Sequence, residues 1–454
     1  FLVQRELLLF AGCFFALGAL DEFAVDLIYF RLWLSGRLRP KRFAANEAQA
    51  TLAGPVAVFI PAWQEDAVIG ATVAHALAAW PQRELTLYVG CYRNDPATLA
   101  SAMAGARGDP RLRLVVHDAD GPTSKPDCLN RLWQALRLDE ARRGEAARMV
   151  LLQDAEDMVD PAAVALCDAT LWHAEMVQLP VLALPQRGSR WIGSHYCDEF
   201  AEAHGKTLVV RDALGAAIPG AGVGCAIARP MLERLAREGG AAGPFAPQAL
   251  TEDYELGLRI ARLGGRTRFL RATSEEGRLI ATRAYFPARL DTAVRQKTRW
   301  IHGIALQSWD RLGWSGGLAS LWMQLRDRRG PFVGLLLALA YGLVMLVFAT
   351  WTARQLGLVP APAPDPLIDA ILLFNLAAFA WRGASRAIFT AREFGWREGL
   401  RAVPRLLVSN VIAIMAGRRA FADYLATLRG AKPVWDKTEH TDHPALAAVT
   451  VFAR

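Results

Sequence analysis

The chain has 454 residues, a net charge of +8 at pH 7 and 53% hydrophobic residues, with a mean hydropathy of +0.17. That length allows one large domain or two smaller ones, and that apolar share leans away from a purely soluble protein toward a membrane-associated one. Six cysteines, Cys13, Cys91, Cys128, Cys167, Cys197 and Cys225, lie far apart without a CxxC pair. They support neither a zinc knuckle nor a disulfide frame, and suit reduced cytoplasmic thiols.

The sequence opens on Phe1 rather than Met and reads as part of a longer protein, with further domains expected beyond its ends. Residues 7–30 are apolar but carry Asp21, Glu22 and Asp26, which are costly in a bilayer unless paired or near its surface. With neither a basic start nor a small-residue cleavage site, the stretch reads as a span rather than a signal peptide. From Gly54 to about Gly224, short β-rich runs alternate with helical stretches, the pattern of a doubly wound α/β sheet. The strand candidates are 56–60, 85–89, 112–116 and 149–152, and three of them run straight into polar or acidic residues. In open α/β sheets the ligand binds beyond the carboxyl ends of the strands, which makes these loops the place to search. No GxGxxG follows the first strand and no GxxxxGK[ST] occurs, which removes dinucleotide dehydrogenases and P-loop NTPases.

After Pro287 an amphipathic pattern through Arg295, Arg299, Trp300, Ile301, Leu306 and Trp309 predicts a helix lying on a membrane surface. Residues 331–351 are uncharged and long enough to span, and 367–381 form a shorter second span containing Asp369. Basic residues flank the spans at Arg31 to Arg42, Arg326 to Arg329 and Arg382 to Arg392, which predicts that 31–330 faces the cytoplasm and that the Pro-rich turn 359–364 lies outside. Charge placed beside apolar spans points to anionic lipid rather than nucleic acid. Residues 396–416, with basic ends and an apolar part interrupted or opened near Pro404, are expected to lie at the interface.

Acids and amides concentrate at strand ends. Gln153-Asp154-Ala155-Glu156-Asp157 puts three carboxylates in four positions, which suits Mg²⁺ or Mn²⁺ on a phosphate, or else a solvated helix start. Trp63-Gln64-Glu65-Asp66 and Arg93-Asn94-Asp95-Pro96 offer groups for a base and ribose, or are ordinary turns. Lys125 is placed to reach a phosphate, although a surface lysine in a turn explains it too. His195 and Glu199 share a helix face, and without HExxH or a third ligand they read as lining an acceptor path rather than holding zinc. Gly220, Gly222 and Gly224 permit close approach of backbone to a ligand. Thr251-Glu252-Asp253 opens a helix, where Asp253 can act as a base while Thr251 caps. The Arg299 fork can meet a diphosphate beside the Trp300 face. Trp435 to His440 offers an indole, a cation and a hydroxyl, or is a plain tail.

In this order, Asp154-Ala155-Glu156, Thr251-Glu252-Asp253 and Gln296-Lys297-Thr298-Arg299-Trp300 resemble the DxD, TED and QxxRW motifs of membrane-bound processive family 2 glycosyltransferases, the cellulose and hyaluronan synthase group. The acidic block and the His195 to Glu202 stretch look closest to the phage-adsorption protein B branch, bacterial inner-membrane proteins associated with exopolysaccharide secretion. The resemblance implies a GT-A type mixed sheet with transmembrane and interfacial helices. It implies an inverting transfer from a UDP-sugar to a polysaccharide acceptor on the cytoplasmic face. Glu65 and Asp95 would hold the uridine part, Asp154 the diphosphate side and Glu156 the divalent cation, with Asp157 a rival ligand because Glu stands where the common motif has Asp. Asp253, with Glu252, would be catalytic, while Gln296, Arg299 and Trp300 would hold the acceptor end and pyrophosphate. Lys437 and Thr438 resemble the phosphate contacts of a gating loop. An outer-membrane secretion partner is implied, as is cyclic dinucleotide control through a domain outside this chain, since no convincing RxxxR-type site occurs here.

The expected segments are a span at 1–30, a catalytic domain at 31–286, interfacial helices at 287–330, a spanning hairpin at 331–381, an interfacial helix at 382–430 and a gating-loop-like end at 431–454. Two other readings remain: a single-transfer enzyme acting on a lipid phosphate, and a receptor or scaffold that keeps a degraded transferase fold.

Overall fold

The computed structural model describes residues 2–38, 41–186, 188–240, 243–360, 364–431 and 442–446. Helix α1 (Leu2–Leu34) leads to β1 (Lys41–Phe43) and the single turn α2 (Ala45–Ala48). The alternating part follows as β2 (Val56–Pro61), α3 (Ile69–Ala79), β3 (Leu85–Tyr92), α4 (Pro96–Ala106), β4 (Leu112–His117), α5 (Lys125–Arg143), β5 (Met149–Leu152) and α6 (Ala163–Thr170). Next come β6 (Met176–Gln178), β7 (Val181–Ala183), α7 (His195–Glu202), a π-helical turn at Ala203–Thr207, α8 (Leu208–Ala213), β8 (Cys225–Ala228), α9 (Arg229–Gly239) and α10 (Glu252–Arg262). Short strands β9 (Thr267–Phe269), β10 (Ala272–Ser274) and β11 (Thr282–Ala284) precede α11 (Leu290–Trp300), a second π-helical segment at Ile301–Gln307, α12 (Ser308–Leu312) and α13 (Leu318–Arg328). The long helices α14 (Gly330–Gln355), α15 (Pro366–Phe394) and α16 (Trp396–Leu428) follow.

Seven strands form the main sheet in the order β4-β3-β2-β5-β8-β6-β9. Strands β4 to β5 are parallel, whereas β8 runs antiparallel to both β5 and β6. The four expected strands are β2 to β5. Their side chains alternate between two covered faces: Val56, Val58 and Ile60 pack with Val73 and Leu166 on one side, and Ala57 and Phe59 pack with Leu129, Leu132 and Ile260 on the other. Burial of both faces explains why these strands read as continuous apolar runs. Helix α5 starts where Ser124 accepts from the Asp127 amide at 3.3 Å and ends at Gly144, whose φ of 70° is left-handed.

Four helices, α1, α14, α15 and α16, are long and apolar enough to cross a membrane. The acids of α1 are paired. Asp21 meets Arg326, Arg329 and the Trp322 indole; Glu22 meets Arg326, Arg329 and Arg382; and Asp26 meets Lys206 at 2.6 Å and Trp381 at 2.8 Å.

Helix α15 continues past the expected span 367–381 to Phe394, and its polar end is buried against α7, with Arg386 on Glu202 at 2.9 Å and Thr390 on Asp198 at 3.2 Å. Pro404 lies inside the last helix. α16 runs through it unbroken, and tight packing offsets the lost backbone bond, with Gly399 against the Ala387 carbonyl and Gly417 facing Gly334. Helix α16 touches the α/β part near both ends, through Arg405 on Asp198 at 2.9 Å and the Tyr424 hydroxyl on Asp310 at 2.7 Å.

Candidate active site

The carboxyl ends of β2, β3 and β5 open onto a cavity of about 490 Å³. Its wall carries Glu65, Lys125, Asp154, Glu156 and Asp157 on the strand side, Glu252 and Asp253 from the start of α10, and Gln296, Arg299 and Trp300 from α11. All three motifs therefore meet in one chamber. Both π-helical segments also reach it, through His204 and Thr207 in one and Ile304 in the other. Such wide turns recur at functional sites.

Lys125 sits at the centre of the acids. Its ammonium is 2.5 Å from Asp154 and 3.9 Å from Glu252, and its side chain is 17% exposed. That placement discards the surface-lysine explanation. Burial works against its charge, yet Asp154, Glu252 and Asp253 outweigh it and raise the ammonium's pKa. Burial likewise pushes Glu252 up to about 7, with Lys125 acting in the opposite direction and Asp253 adding repulsion. Asp253 is raised by burial too, while Lys125 and the Tyr254 amide, which donates to it at 2.8 Å, hold the shift back. A carboxylate held closer to neutrality is a better acceptor for a hydroxyl proton than an ordinary one.

Glycine makes this approach possible. A Cβ on Gly222, whose φ is 77°, would lie 2.8 Å from an Asp253 oxygen and 3.1 Å from the Lys125 nitrogen. Only a residue without a side chain fits there.

The acidic turn divides its labour. The Asp154 carboxylate is 30% exposed, and Glu156 is half-buried in the same wall. Asp157 is 1% exposed and accepts from the Asp154 amide at 2.7 Å. Burial, with repulsion from Asp154 and Glu156, raises its pKa well above the usual range. It pins the turn, so Glu156 is better placed than Asp157 to face a cation. Among the described residues no group of three or more His, Cys, Asp and Glu side chains could hold a metal ion by itself. Hard carboxylate oxygens from one or two residues, completed by phosphate and water, are the set that Mg²⁺ or Mn²⁺ takes in nucleotide sites.

Asp95 stands apart from the cavity. It caps α4 through the Thr98 amide at 3.3 Å and holds the Gln64 amide at 2.6 Å. Gln64 has a φ of 52°, a left-handed conformation that this contact helps to hold. Lys437 and Thr438 lie outside the described residues. His195 to Glu202 form α7, whose Phe200 reaches the cavity while Glu199 is paired with Lys297 of the QxxRW segment. Burial alone would raise Glu199, but Lys297, His195 and Arg386 bring it well below the usual range. This pairing is ionic packing between helices, not a zinc site.

Sequence reasoning missed Arg211, Tyr254 and Asp327 as cavity-lining residues. Asp327 lies inside the run Arg326-Asp327-Arg328-Arg329, which reads as a basic flank and conceals an acid that faces inward.

Residues 53–303 match the family described as glycosyltransferase like family 2. The chain belongs to glycosyltransferase family 2. Bacteriophage adsorption protein B of Escherichia coli (strain K12) and bacteriophage N4 adsorption protein B of Escherichia coli O157:H7 are each 31% identical to it over 96% of the chain. The chain spans 61% of the length of these curated relatives. Among solved structures, the mannosyltransferase PcManGT from Pyrobaculum calidifontis, in complex with GDP-Man and Mn²⁺, superposes with a TM-score of 0.51 at 17% identity, covering 91% of this chain and 99% of that one. That likeness fixes the GT-A fold. The chain joins the α/β mixed sheet of this family to four helices of spanning length among the described residues.

Proposed function

We propose that the enzyme transfers a sugar, with inversion, from a UDP-sugar to a growing exopolysaccharide at the cytoplasmic face of a bacterial inner membrane, and passes the product toward its long helices. The observation that carries this reading is the single chamber shared by Asp154, Asp253 and Arg299. The Asp253 carboxylate takes the proton of an acceptor hydroxyl as that oxygen bonds to the anomeric carbon. The bond from that carbon to the diphosphate breaks, and the nucleotide leaves with the electron pair. Glu252 shares the buried charge beside it. Arg299 neutralises the departing diphosphate, Trp300 and Gln296 hold the acceptor end, and Lys125 faces the donor phosphates next to Asp154. Glu65 and the turn pinned by Asp95 wall the base. Lys437 and Thr438 are assigned to the phosphates on resemblance alone. Asp154 and Glu156 would hold Mg²⁺ or Mn²⁺, which when bound supplies charge to the leaving diphosphate.

Helices α1, α14 and α15 are assigned as spans, and α16 as interfacial, in keeping with its contacts to α7 and α12. Outer-membrane secretion partners, and cyclic dinucleotide control through a domain not in this chain, are part of the same proposal. A single transfer to a lipid phosphate is the second reading, favoured by α8, whose Leu208 and Arg211 line the cavity while its Val210 packs in one cluster with Val25 and Leu32 of α1.

The test is incubation of purified protein with UDP-sugars, and with GDP-mannose, in Mg²⁺ or Mn²⁺, scoring nucleotide release and product length. Long product supports the polymerase, and single addition supports the second reading. Absence of nucleotide release with every donor, together with unchanged cellular polysaccharide in Asp253→Asn, would defeat both.

A further inference from the structure

The cavity wall includes a polar group that the reaction does not use. Arg211 of α8 is 3% exposed and lines the cavity. Its Nε donates to the Ala217 carbonyl at 2.6 Å, and its Nη1 bridges both oxygens of Asp327 at 3.0 and 2.9 Å. Its Nη2 is buried and has no protein partner among the described residues. A rigidly held guanidinium with one idle nitrogen is an unmet hydrogen-bond demand, and such groups call for an explanation. Two further cavity residues share the condition: Thr251 Oγ1 and Gln296 Oε1 are also buried without partners.

Asp327 completes the pair. It accepts two bonds from Arg211 and one from the Tyr254 hydroxyl at 2.8 Å, leaving room for about one more of the four that a carboxylate can take. The pair is neutral as a whole, so it suits an uncharged ligand better than a phosphate. A donor and an acceptor side by side match adjacent oxygens of a sugar, one accepting and one donating. The flat faces of Phe286 and Trp300 in the same wall suit the apolar face of a pyranose ring.

We infer that Arg211 and Asp327 form an acceptor subsite that binds a neutral sugar unit of the chain being extended and thereby selects the acceptor. This rests on the transferase reading above and names the acceptor class for that chamber. The Tyr254 backbone follows Asp253 directly, so the same helix start carries the proposed base and the residue that braces the subsite. An oligosaccharide end lying across Asp253 has its next unit held where Arg211 and Asp327 stand.

The experiment uses the full chain in detergent, with cellobiose, chitobiose and mannobiose as neutral probes and undecaprenyl phosphate as the lipid arm. Disaccharide binding is read without donor by saturation-transfer NMR, and acceptor KM and donor Kd are read separately. Arg211→Lys, which keeps the charge but loses the fork, and Asp327→Asn should each weaken binding of the preferred disaccharide by about tenfold, the value of one good hydrogen bond to a charged group. Donor Kd should stay within about twofold of wild type, a split that a general loosening of the fold would not give. Thermal melting of both variants identifies one that fails to fold, and the other then carries the test. Binding of no disaccharide by the wild-type protein, equal weakening of donor and acceptor, or a loss confined to undecaprenyl phosphate would each overturn the inference. Because binding is measured without turnover, failure of the transferase reading shows separately, as wild-type protein that binds disaccharide but releases no nucleotide from any donor.

Discussion

Asp21, Glu22 and Asp26 inside α1, and Asp154, Glu252 and Asp253 around the cavity, are acidic triplets in weakly hydrated surroundings, but their partners differ. Each acid of α1 meets at least one cation and, for Asp21 and Asp26, a tryptophan indole as well. The cavity acids crowd around Lys125, with Arg299 opposite Asp253, and burial raises both Glu252 and Asp253. Where acids are matched by cations they fasten helices together. Where they outnumber them, uncompensated negative charge is left in the cavity.

Substitutions can break this contrast. Asp253→Asn should lower kcat by roughly 10³-fold, within the usual range for loss of a general base, while donor binding survives in a calorimetric titration. Lys125→Met should cost about 10²-fold and should also reveal its electrostatic role in the pH profile. Because the base works deprotonated and burial raises Asp253, kcat/KM should rise with pH through an acid limb above the ordinary carboxylate range. Removing Lys125, which lowers both carboxyls, should move that limb to higher pH; an unmoved limb would show that the lysine does not tune them. In the α1 cluster the expected outcome is reversed. Asp21→Asn should leave kcat intact but cost about 1–2 kcal/mol of stability, read as a lower melting temperature in detergent, a figure reduced from that of a fully buried pair because Asp21 is partly exposed. The smallest effect is expected for Glu156→Asp, which keeps the carboxylate on a shorter arm and should change the apparent metal affinity within about threefold, read by metal titration of nucleotide release.

Strands β2 to β5 were legible because burial on both faces leaves uninterrupted apolar runs, and the acidic loops were legible because they stand at the ends of those runs. The meeting of Asp154, Asp253 and Arg299 in one wall could be expected only from the order of motifs, since 145 positions separate the first from the last and spacing alone does not bring them together. Asp95 carried two readings in the sequence, since an acid before a proline and a helix is equally a cap, and its contacts include that cap. Arg211 and Asp327 were invisible because the ion pair that joins them spans 116 residues. The extension of α15 to Phe394 depends on tertiary pairing with α7, which local hydropathy does not register.

The two π-helical segments have a consequence for what insertions and deletions this chamber tolerates. A π turn closes i to i+5 instead of i to i+4, so each segment behaves as an α-helix carrying a surplus residue. Removing one residue from Ile301–Gln307 would let the helix return to ordinary pitch and erase the wide turn from which Ile304 reaches the cavity. A one-residue deletion there should sharply lower activity, while the same deletion among the exposed residues 356–360 after α14 should pass almost unnoticed.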